Sequence, residues 1–444
     1  MAKLVVDGGQ RLNGAIDIAG SKNSALALMV AAALGTQDVV LEGVPRYADV
    51  PAQVEILRAL GARVECPESG VFVINGEDIC VEDAPYELVR RLRASFYVSG
   101  LLLARLGRAR VPLPGGDPFG TRPVDFHIKG FQALGAQTAI EHGYLVAQVS
   151  NLFGRLCGAR FQIPRASFGT TINLLLAGAL ADGTTHLENA AREPEIVDLA
   201  MLLNKMGARI KGAGTDTIVI EGVGRLGGAR HEVIPDRLEA GTYLIGAALT
   251  GGDVFARRAV PEHLRALLAK LEEAGAEATE DDSGVRVRVH PGKRLRAVDV
   301  ETRVFPGFAT DFQAPFVALM SVADGVSLVR EAIFADRFEY IDELRRMGAN
   351  IRVEGATAII LGGTRLTGAP VEAPDIRAGA ALVLAGLAAE GTTEVHGVHH
   401  VDRGYEQLEE RLALLNVNVR RRGDADDVTL QQLPQELPNN PRPQ

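Results

Sequence analysis

Three charged side chains that could transfer a proton or hold an anion lie close together in one segment, residues 113–127. The segment holds three glycines and three prolines, and Asp117, Arg122 and Asp125 fall within nine of its residues. Because glycine frees the backbone and proline fixes φ and removes a donor, we expect an exposed loop, neither helix nor central strand. An acid beside a base on such a loop suits catalysis. A surface turn with solvated charges is the alternative.

An anion site is a second candidate, where Gly20-Ser21-Lys22-Asn23-Ser24 opens an apolar stretch that predicts a helix. Ser21 or Asn23 suits the N-cap. A lysine beside a helix N-terminus attracts the same negative charge as the exposed N–H groups. The spacing differs from that of the GxxxxGK[ST] phosphate loop. A capped helix with a solvated lysine is the alternative.

Arginines recur beside aspartates at comparable points of the chain, at Arg237, Arg337, Arg377 and Arg403. The planar guanidinium matches carboxylate and phosphate, so several converging arginines would bind a small, multiply charged anion. A structural or solvated role is the alternative for any single pair. Asp311 follows a Pro-Gly turn and could be a general base for a substrate hydroxyl, or a helix cap.

Composition narrows the class of protein. A chain of 444 residues suggests two or three domains, and a net charge of -9 argues against a general nucleic-acid binder. The three cysteines lack metal-ligand spacing and indicate buried free thiols in a reducing cytoplasm. No signal peptide is evident, and the apolar runs are shorter than the roughly 20 residues that span a bilayer. A cytoplasmic enzyme or binding protein is therefore expected, without metal or membrane insertion.

The elements that must position these residues form a repeat. The phrase Leu-Gly-Ala or a close variant recurs at Gly61, Gly135, Gly207, Gly275 and Gly348, with a degenerate sixth copy at Asn416. Each copy follows a helical pattern and precedes a strand pattern, so the glycine is expected at a helix C-cap. Six units of about 70 residues predict two three-unit globules.

Several helices in this pattern are apolar all round, for example residues 172–181 and 378–389. They are too short to span a membrane, so we expect them inside each globule with the sheets outside. The proline-rich end, residues 426–444, is expected to be disordered.

These phrases together resemble the UDP-N-acetylglucosamine 1-carboxyvinyltransferase family of enolpyruvyl transferases, from about residue 4 to residue 422. The matching phrases include Ala19-Gly-Ser-Lys-Asn23, Arg122-Pro-Val-Asp125, Pro235-Asp-Arg237 and Asp402-Arg-Gly-Tyr405. The resemblance implies a two-domain inside-out α/β barrel of six βαβαββ-type repeats, three per domain, with buried helices. It places one domain at residues 21–234 and a discontinuous second domain at residues 1–20 and 235–425. The active site would lie between them and close around the substrate.

The resemblance further implies transfer of the enolpyruvyl group of phosphoenolpyruvate to the 3'-hydroxyl of UDP-N-acetylglucosamine, with release of phosphate by addition and elimination. This is the first committed step of peptidoglycan precursor synthesis, and no cofactor is implied. Catalytic roles fall on Asp117, Asp311 and Lys22. Phosphoenolpyruvate would be held by Lys22, Asn23, Arg122, Arg337, Arg377 and Arg403. The UDP-sugar site would be lined by Arg93, Arg122, Pro123, Val124, Asp125, Phe126, Arg165, Ser167, Phe168, Asp311 and Ile333. Arg165 stands where the family commonly has lysine.

Asp117 departs from the usual family loop, which reads Pro-Gly-Gly-Cys. The cysteine is generally assigned as the general acid, and a carboxyl group can replace it only while neutral. Its ordinary pKa near 3.9 leaves it ionised at pH 7. Burial or a nearby phosphate would raise this pKa and surrounding arginines would lower it, so the sign of the shift stays open.

The missing thiol predicts insensitivity to fosfomycin, which alkylates that cysteine. Two rival functions remain. One is a 5-enolpyruvylshikimate-3-phosphate synthase-like enzyme, and the other is a non-catalytic paralogue that only binds UDP-sugar.

Overall fold

The computed structural model describes residues 2–115, 124–151 and 154–423, which form a mixed α/β fold. The helices are α1 Lys22–Ala32, α2 Asp49–Ala59, α3 Tyr86–Val89, α4 Val98–Leu106, α5 Asp125–Ala133, α6 Phe168–Ala179, α7 Pro194–Lys205, α8 Arg237–Thr250, α9 Arg265–Ala274, α10 Gln313–Val322, α11 Ile341–Arg346, α12 Ile376–Ala388, α13 Val398–Val401 and α14 Leu408–Ala413. Short 3₁₀ turns occupy Arg93–Tyr97, Pro261–His263 and Thr310–Phe312.

The strands are β1 Lys3–Asp7, β2 Asn13–Asp17, β3 Val39–Glu42, β4 Arg63–Glu68, β5 Val71–Asn75, β6 Arg108–Pro112, β7 Ala136–Glu141, β8 Tyr144–Val149, β9 Arg160–Gln162, β10 Thr184–Glu188, β11 Arg209–Lys211, β12 Thr217–Glu221, β13 Ala229–Glu232, β14 Asp253–Arg257, β15 Glu277–Asp281, β16 Gly284–Arg288, β17 Val300–Glu301, β18 Val326–Arg330, β19 Asn350–Glu354, β20 Thr357–Leu361, β21 Pro370–Glu372, β22 Thr392–His396 and β23 Val419–Arg422.

In the described residues these strands form six small sheets with one common plan. Their orders are β13-β3-β5-β4, β6-β8-β7, β11-β12-β10-β9, β15-β16-β14-β2, β17-β18-β20-β19 and β21-β22-β1-β23. In each four-stranded sheet one outer strand is parallel to its neighbour, as β13 is to β3, and the other pairings are antiparallel. The three-stranded sheet keeps a trace of this plan in a parallel bridge between Asp83 and Arg110. The six sheets are therefore copies of one unit.

The predicted repeat coincides with these sheets. Its glycines lie just beyond the ends of α2, α5, α7, α9 and α11, and Asn416 lies beyond α14. All six residues have positive φ, from 61° at Asn416 to 106° at Gly207, where glycine is favoured and asparagine is tolerated. The strand that follows each of them forms an edge of a different sheet. The prediction of six helix–glycine–strand units is confirmed.

The apolar helices lie inside two hydrophobic cores. One core is built from residues between Ala25 and Val233, and the other from Leu4–Ile18 and Leu238–Val419. Nearly every residue of α1 and α12 is buried, as predicted for helices without a polar face. The predicted domain boundaries fall between the two sets of core residues, and the division into two domains stays a prediction.

The chain passes between the two cores twice, and the two crossings run side by side. Ser21 N donates to Ile234 O at 2.7 Å, and Asp236 N donates to Ala19 O at 2.8 Å. Gly20 and Pro235 form an antiparallel bridge between these bonds. The start of α1 and the start of α8 are therefore held together where the cores meet.

Two expectations from the sequence are wrong. All three cysteines, Cys66, Cys80 and Cys157, are exposed as free thiols, because each lies in an outer sheet or loop and not against a core. The 113–127 segment is not loop throughout, because Asp125, Phe126 and His127 form the first turn of α5. Its last proline is Pro123, and beyond it the buried residues 127, 130, 131 and 134 recur at helical spacing. The predicted disordered end at 426–444 lies outside the described residues.

The described residues contain neither a candidate membrane span nor a candidate metal site. None of their helices combines the length and the apolar character needed to cross a membrane. They contain no group of three or more His, Cys, Asp and Glu side chains arranged to hold a metal ion.

Candidate functional site

Asp311 is the centre of a cluster of arginines in the second core. Its Oδ1 accepts a hydrogen bond from Arg377 Nε at 3.1 Å and lies 3.7 Å from Arg337 NH2. Both guanidinium groups are buried, whereas the Asp311 side chain keeps 30% of its surface exposed. Arg337 NH1 also donates to Thr310 Oγ1 at 3.0 Å. Sequence reasoning selected Asp311, Arg337 and Arg377 separately, and the structure brings them together.

The arginines decide the protonation state of Asp311. Burial by itself would raise the pKa of this carboxyl group, but Arg337, Arg377 and Arg237 outweigh it and hold the pKa well below its ordinary value. Asp311 is therefore an ion-paired carboxylate with little basicity while both arginines face it.

The aspartates beside the arginines are helix caps. Asp375 Oδ1 accepts from Arg377 N at 2.7 Å and from Ala378 N at 3.0 Å, which caps α12. Asp236 Oδ1 caps α8 in the same way, at 2.8 Å from Leu238 N. The structural alternative is thus correct for these two aspartates, and the cap fixes the first helical turn from which the arginine side chain extends.

Lys22 lies at the start of α1 and faces the second core. Ser21 is the N-cap, as predicted, and accepts from Ser24 N at 3.4 Å. Lys22 is 7% exposed, and its Nζ lies 3.2 Å from Asp49 Oδ2. The other oxygen of that carboxylate, Oδ1, accepts from Arg403 Nε at 2.9 Å. Lys22 N also lies 3.2 Å from Asp236 Oδ2, whose charge in turn acts on Arg377. The solvated-lysine alternative is wrong, because Lys22 belongs to a buried charge cluster.

Arg237 is a further buried cation between the cores. Its Nε donates to Glu195 Oε1 at 3.1 Å, and Glu195 is 1% exposed. Its charge reaches Asp311, as the lowered pKa of that residue indicates. The four recurrent arginines therefore each meet a carboxylate. Arg237 and Arg403 do so across the junction of the two cores, and Arg337 and Arg377 do so within the second core.

The predicted sugar-nucleotide residues that the structure describes lie mainly in the first core. Arg93 belongs to a 3₁₀ turn, Phe126 to the first turn of α5, and Phe168 to the first residue of α6. Ser167 caps α6 through Thr170 N at 3.4 Å. Asn23, Val124 and Asp125 are half-buried, whereas Arg165 is exposed. Ile333 is half-buried in the second core, where its N donates to Glu331 Oε1 at 2.8 Å.

His127 joins these residues although sequence reasoning gave it no role. It lies in α5, and its Nδ1 accepts from Asn173 Nδ2 of α6 at 2.8 Å. Burial, together with the nearby charge of Arg93, lowers the pKa of His127 to about 3, so the ring is neutral at pH 7. The first turn of α5 thus packs against α6 next to Arg93. Asp117, Arg122 and Pro123 lie outside the described residues, and their predicted places are not tested.

Comparison with known proteins identifies the family of this chain. The sequence matches the family described as EPSP synthase (3-phosphoshikimate 1-carboxyvinyltransferase) over residues 6–412. A UDP-N-acetylglucosamine 1-carboxyvinyltransferase 2 of Symbiobacterium thermophilum is 56% identical over 421 residues, which cover 95% of this chain and 98% of that protein. A UDP-N-acetylglucosamine 1-carboxyvinyltransferase 1 of Caldanaerobacter subterraneus is 49% identical over 95% of this chain and 99% of that protein.

The chain belongs to the UDP-N-acetylglucosamine 1-carboxyvinyltransferase family.

The fold agrees with this membership. The crystal structure of the enolpyruvyl transferase NikO from Streptomyces tendae superposes with a TM-score of 0.83 at 26% identity, covering 95% of this chain and 98% of that one. The resemblance inferred from the sequence is therefore confirmed, and so is the enolpyruvyl transferase fold.

Two carboxylates that contact predicted site residues or their neighbours escaped sequence reasoning. Asp49 follows no recognisable motif, and only its partners Lys22 and Arg403 mark it. Glu331 is 1% exposed and accepts from Thr302 Oγ1 at 2.6 Å and from Thr310 Oγ1 at 2.8 Å. It therefore fixes the turn that carries Asp311. In the sequence, the signal for Glu331 was its position directly after the strand β18.

Proposed function

We propose that the protein transfers the enolpyruvyl group of phosphoenolpyruvate to the 3'-hydroxyl of UDP-N-acetylglucosamine and releases phosphate. The observation that carries the proposal is a pair of shielded ion-pair clusters, Lys22–Asp49–Arg403 and Arg337–Asp311–Arg377. Asp236 links them, because its Oδ2 lies 3.2 Å from Lys22 N and its charge acts on Arg377. Such a set of cations suits a compact anion with one carboxylate and one phosphate. The names of the curated relatives support the same reaction.

Arg377 offers the anion a donor that nothing else in the described chain uses. Its NH1 is buried and has no hydrogen-bond partner among the described residues. A buried unsatisfied donor is costly, and a substrate oxygen would remove that cost. This supports the assignment of Arg377 to phosphoenolpyruvate, with Arg337, Lys22 and Arg403 as the other cations and Asn23 at the edge.

The chemistry requires three proton transfers, two in the addition and one in the elimination. In the addition, the 3'-oxygen forms a bond to C2 of phosphoenolpyruvate, gives up its proton to a base, and the methylene C3 accepts a proton. In the elimination, the C2–O bond to phosphate breaks and C3 loses a proton, which restores the double bond. We assign the base to Asp311 and the acid at C3 to Asp117.

Asp311 can act as the base only after the substrate has changed its surroundings. Two arginines hold its pKa far below the range that suits proton abstraction near pH 7. When the phosphate and carboxylate of phosphoenolpyruvate bind Arg337 and Arg377, they neutralise these cations, and the pKa of Asp311 rises. The base is thus activated by the anion whose reaction it serves.

The sugar nucleotide is assigned to the first turns of α5 and α6 beside Arg93. Helix N-termini and an arginine together favour a pyrophosphate. Val124, Asp125, Phe126, Arg165, Ser167 and Phe168 lie on or before these turns, and Asp311 and Ile333 would approach from the second core. A reducing cytoplasm, where both substrates are small soluble anions, is the compartment that we propose.

A phosphate-release assay with each acceptor tests the proposal. Release with UDP-N-acetylglucosamine and not with shikimate 3-phosphate is expected, because relatives of 49–56% identity carry the UDP-sugar name. Release with shikimate 3-phosphate alone would support the sister enzyme. Tight UDP-sugar binding without release would support the non-catalytic paralogue, which the Cys-to-Asp exchange at residue 117 alone suggests.

A further inference from the structure

We infer that Asp49 is a positioning residue, which fixes the relative positions of the Lys22 and Arg403 side chains for binding of phosphoenolpyruvate. It can do so only while the two cores are in contact. The inference rests on the proposed function. Asp49 and Lys22 belong to the first core's helices α2 and α1, whereas Arg403 follows α13 of the second.

The carboxylate bridges the two cations with one oxygen each. Asp49 Oδ2 lies 3.2 Å from Lys22 Nζ, and Asp49 Oδ1 accepts from Arg403 Nε at 2.9 Å. All three side chains are largely shielded, with 8% of the Asp49 side chain exposed, 9% of Lys22 and 19% of Arg403. The two cations are thus set one carboxylate width apart, although like charges repel.

The bridge keeps its charge. Burial by itself would raise the pKa of Asp49, but Lys22 and Arg403 outweigh it and hold the pKa below its ordinary value. The carboxylate is therefore ionised across the neutral pH range. Asp49 makes no side-chain cap of α2, and the hydrogen bonds of its carboxylate in the described residues go to Lys22 and Arg403.

The residues around Asp49 attach the first core to the second. Ala48 N donates to Asp402 O at 3.2 Å, and the Arg46 guanidinium pairs with Glu406 at 2.6 Å. Tyr47 between them is fully buried. These contacts place Asp49 against Arg403 only while residues 46–49 and 402–406 are docked.

This arrangement predicts a selective kinetic defect. Asp49→Asn keeps the shape of the side chain but removes the charge that offsets the repulsion between Lys22 and Arg403. We expect kcat/KM for phosphoenolpyruvate to fall about 10- to 100-fold, as for a lost charge-assisted contact, with KM for UDP-N-acetylglucosamine changed less than about twofold. A purely electrostatic role of Asp49 predicts a rise in kcat/KM for phosphoenolpyruvate, because losing a negative charge beside two cations would tighten anion binding.

Arg46→Ala is the matched control. It breaks a neighbouring contact between the same two segments, but Arg46 is 53% exposed and does not touch Lys22. We expect it to leave kcat/KM for phosphoenolpyruvate within about threefold. The double variant Asp49→Asn/Arg403→Ala should lose little more than Arg403→Ala alone, because Asp49 acts through that arginine.

Steady-state phosphate release, thermal denaturation and calorimetric binding of phosphoenolpyruvate decide between the outcomes. The inference is overturned by an unchanged or improved kcat/KM for phosphoenolpyruvate, by equal losses for Asp49→Asn and Arg46→Ala, or by additive losses in the double variant. If the wild type releases no phosphate, the proposed function fails, and calorimetry still decides, since equal affinities of wild type and Asp49→Asn would reject Asp49. If Asp49→Asn does not fold, Asp49→Glu keeps the charge with one extra methylene and should show a smaller loss of the same kind.

Discussion

Replacing Arg377 by alanine removes the guanidinium that faces Asp311 and carries the unused buried donor NH1. Arg377 is 4% exposed, so its contact with a bound anion would be shielded from water. A charge-assisted hydrogen bond contributes about 1.5–3 kcal/mol, and the upper part of that range applies to shielded groups. Because Arg337 stays nearby, the anion keeps part of its binding. We therefore expect kcat/KM for phosphoenolpyruvate to fall roughly 30- to 150-fold, or about 2–3 kcal/mol.

The same change should alter the pH dependence of the reaction. With one cation fewer, the pKa of Asp311 rises, so the acid limb of kcat/KM for phosphoenolpyruvate moves to higher pH. Arg377→Lys keeps the charge but loses the planar fork, and should lie between wild type and Arg377→Ala in both respects. Steady-state phosphate release from pH 5 to 9 measures these effects.

Arg365→Ala is the control for removal of an arginine from the same core. Its side chain is 85% exposed and pairs with Glu390 at the long distance of 3.7 Å. We therefore expect no change in kcat or in KM for phosphoenolpyruvate. The reasoning is refuted if folded Arg377→Ala retains kcat/KM for phosphoenolpyruvate within twofold. A rise in KM for UDP-N-acetylglucosamine alone would place Arg377 at the other substrate.

Asp117 should leave the enzyme active and insensitive to fosfomycin, whereas Asp117→Cys should become sensitive; inactivation of the wild type by stoichiometric fosfomycin, or no gain by the variant, contradicts the loop assignment. Arg403→Ala should weaken phosphoenolpyruvate use by about 1.5–3 kcal/mol, and unchanged kinetic constants would exclude it from the site. Glu239 is fully buried, and burial raises its pKa from 4.5 to about 7 although Arg411 opposes the shift. The folded protein then holds this proton more tightly than the unfolded chain, so the group favours folding below about pH 4.5 and loses about 3 kcal/mol of that benefit by pH 7. In urea denaturation, the free energy of unfolding of Glu239→Gln should therefore change less with pH than that of the wild type. The variant should also lose a pH-independent amount of stability, because Arg411 loses its partner. An identical pH dependence in both proteins would reject the raised pKa of Glu239.

The sequence was most informative where local rules decide the structure. A glycine after an amphipathic helix signals a left-handed cap, and all five such glycines, with Asn416, adopt positive φ. The helices without a polar face could only be buried in a chain of this size, and α1 and α12 are. Such inferences need no knowledge of distant residues.

Local rules failed where a segment changes character or where partners are distant. The glycine and proline content of residues 113–127 concealed that α5 begins at Asp125, directly after the last proline. Asp49 meets Lys22 across 27 residues and Arg403 across 354, so no spacing in the sequence points to it. Asp311 was singled out because it follows a Pro-Gly turn, but its two arginine partners were not deducible as partners.

The placement of the missed carboxylate follows from the cost of burying cations. An unpaired buried ion costs several kcal/mol. Under the proposed function, Lys22, Arg337, Arg377 and Arg403 await an anionic substrate and therefore need counter-charges before it arrives. Asp49 serves Lys22 and Arg403, Asp311 serves Arg337 and Arg377, and Glu195 serves Arg237. When phosphoenolpyruvate binds, its charges compete with these carboxylates for the same cations. Asp49 joins the two cores and is expected to stay paired with Lys22 and Arg403. The partly exposed Asp311 can instead lose its pairing with Arg337 and Arg377. This loss raises the pKa of Asp311, as proton abstraction requires. The internal ion pairs thus stabilise the empty site and also keep Asp311 weakly basic until phosphoenolpyruvate is present.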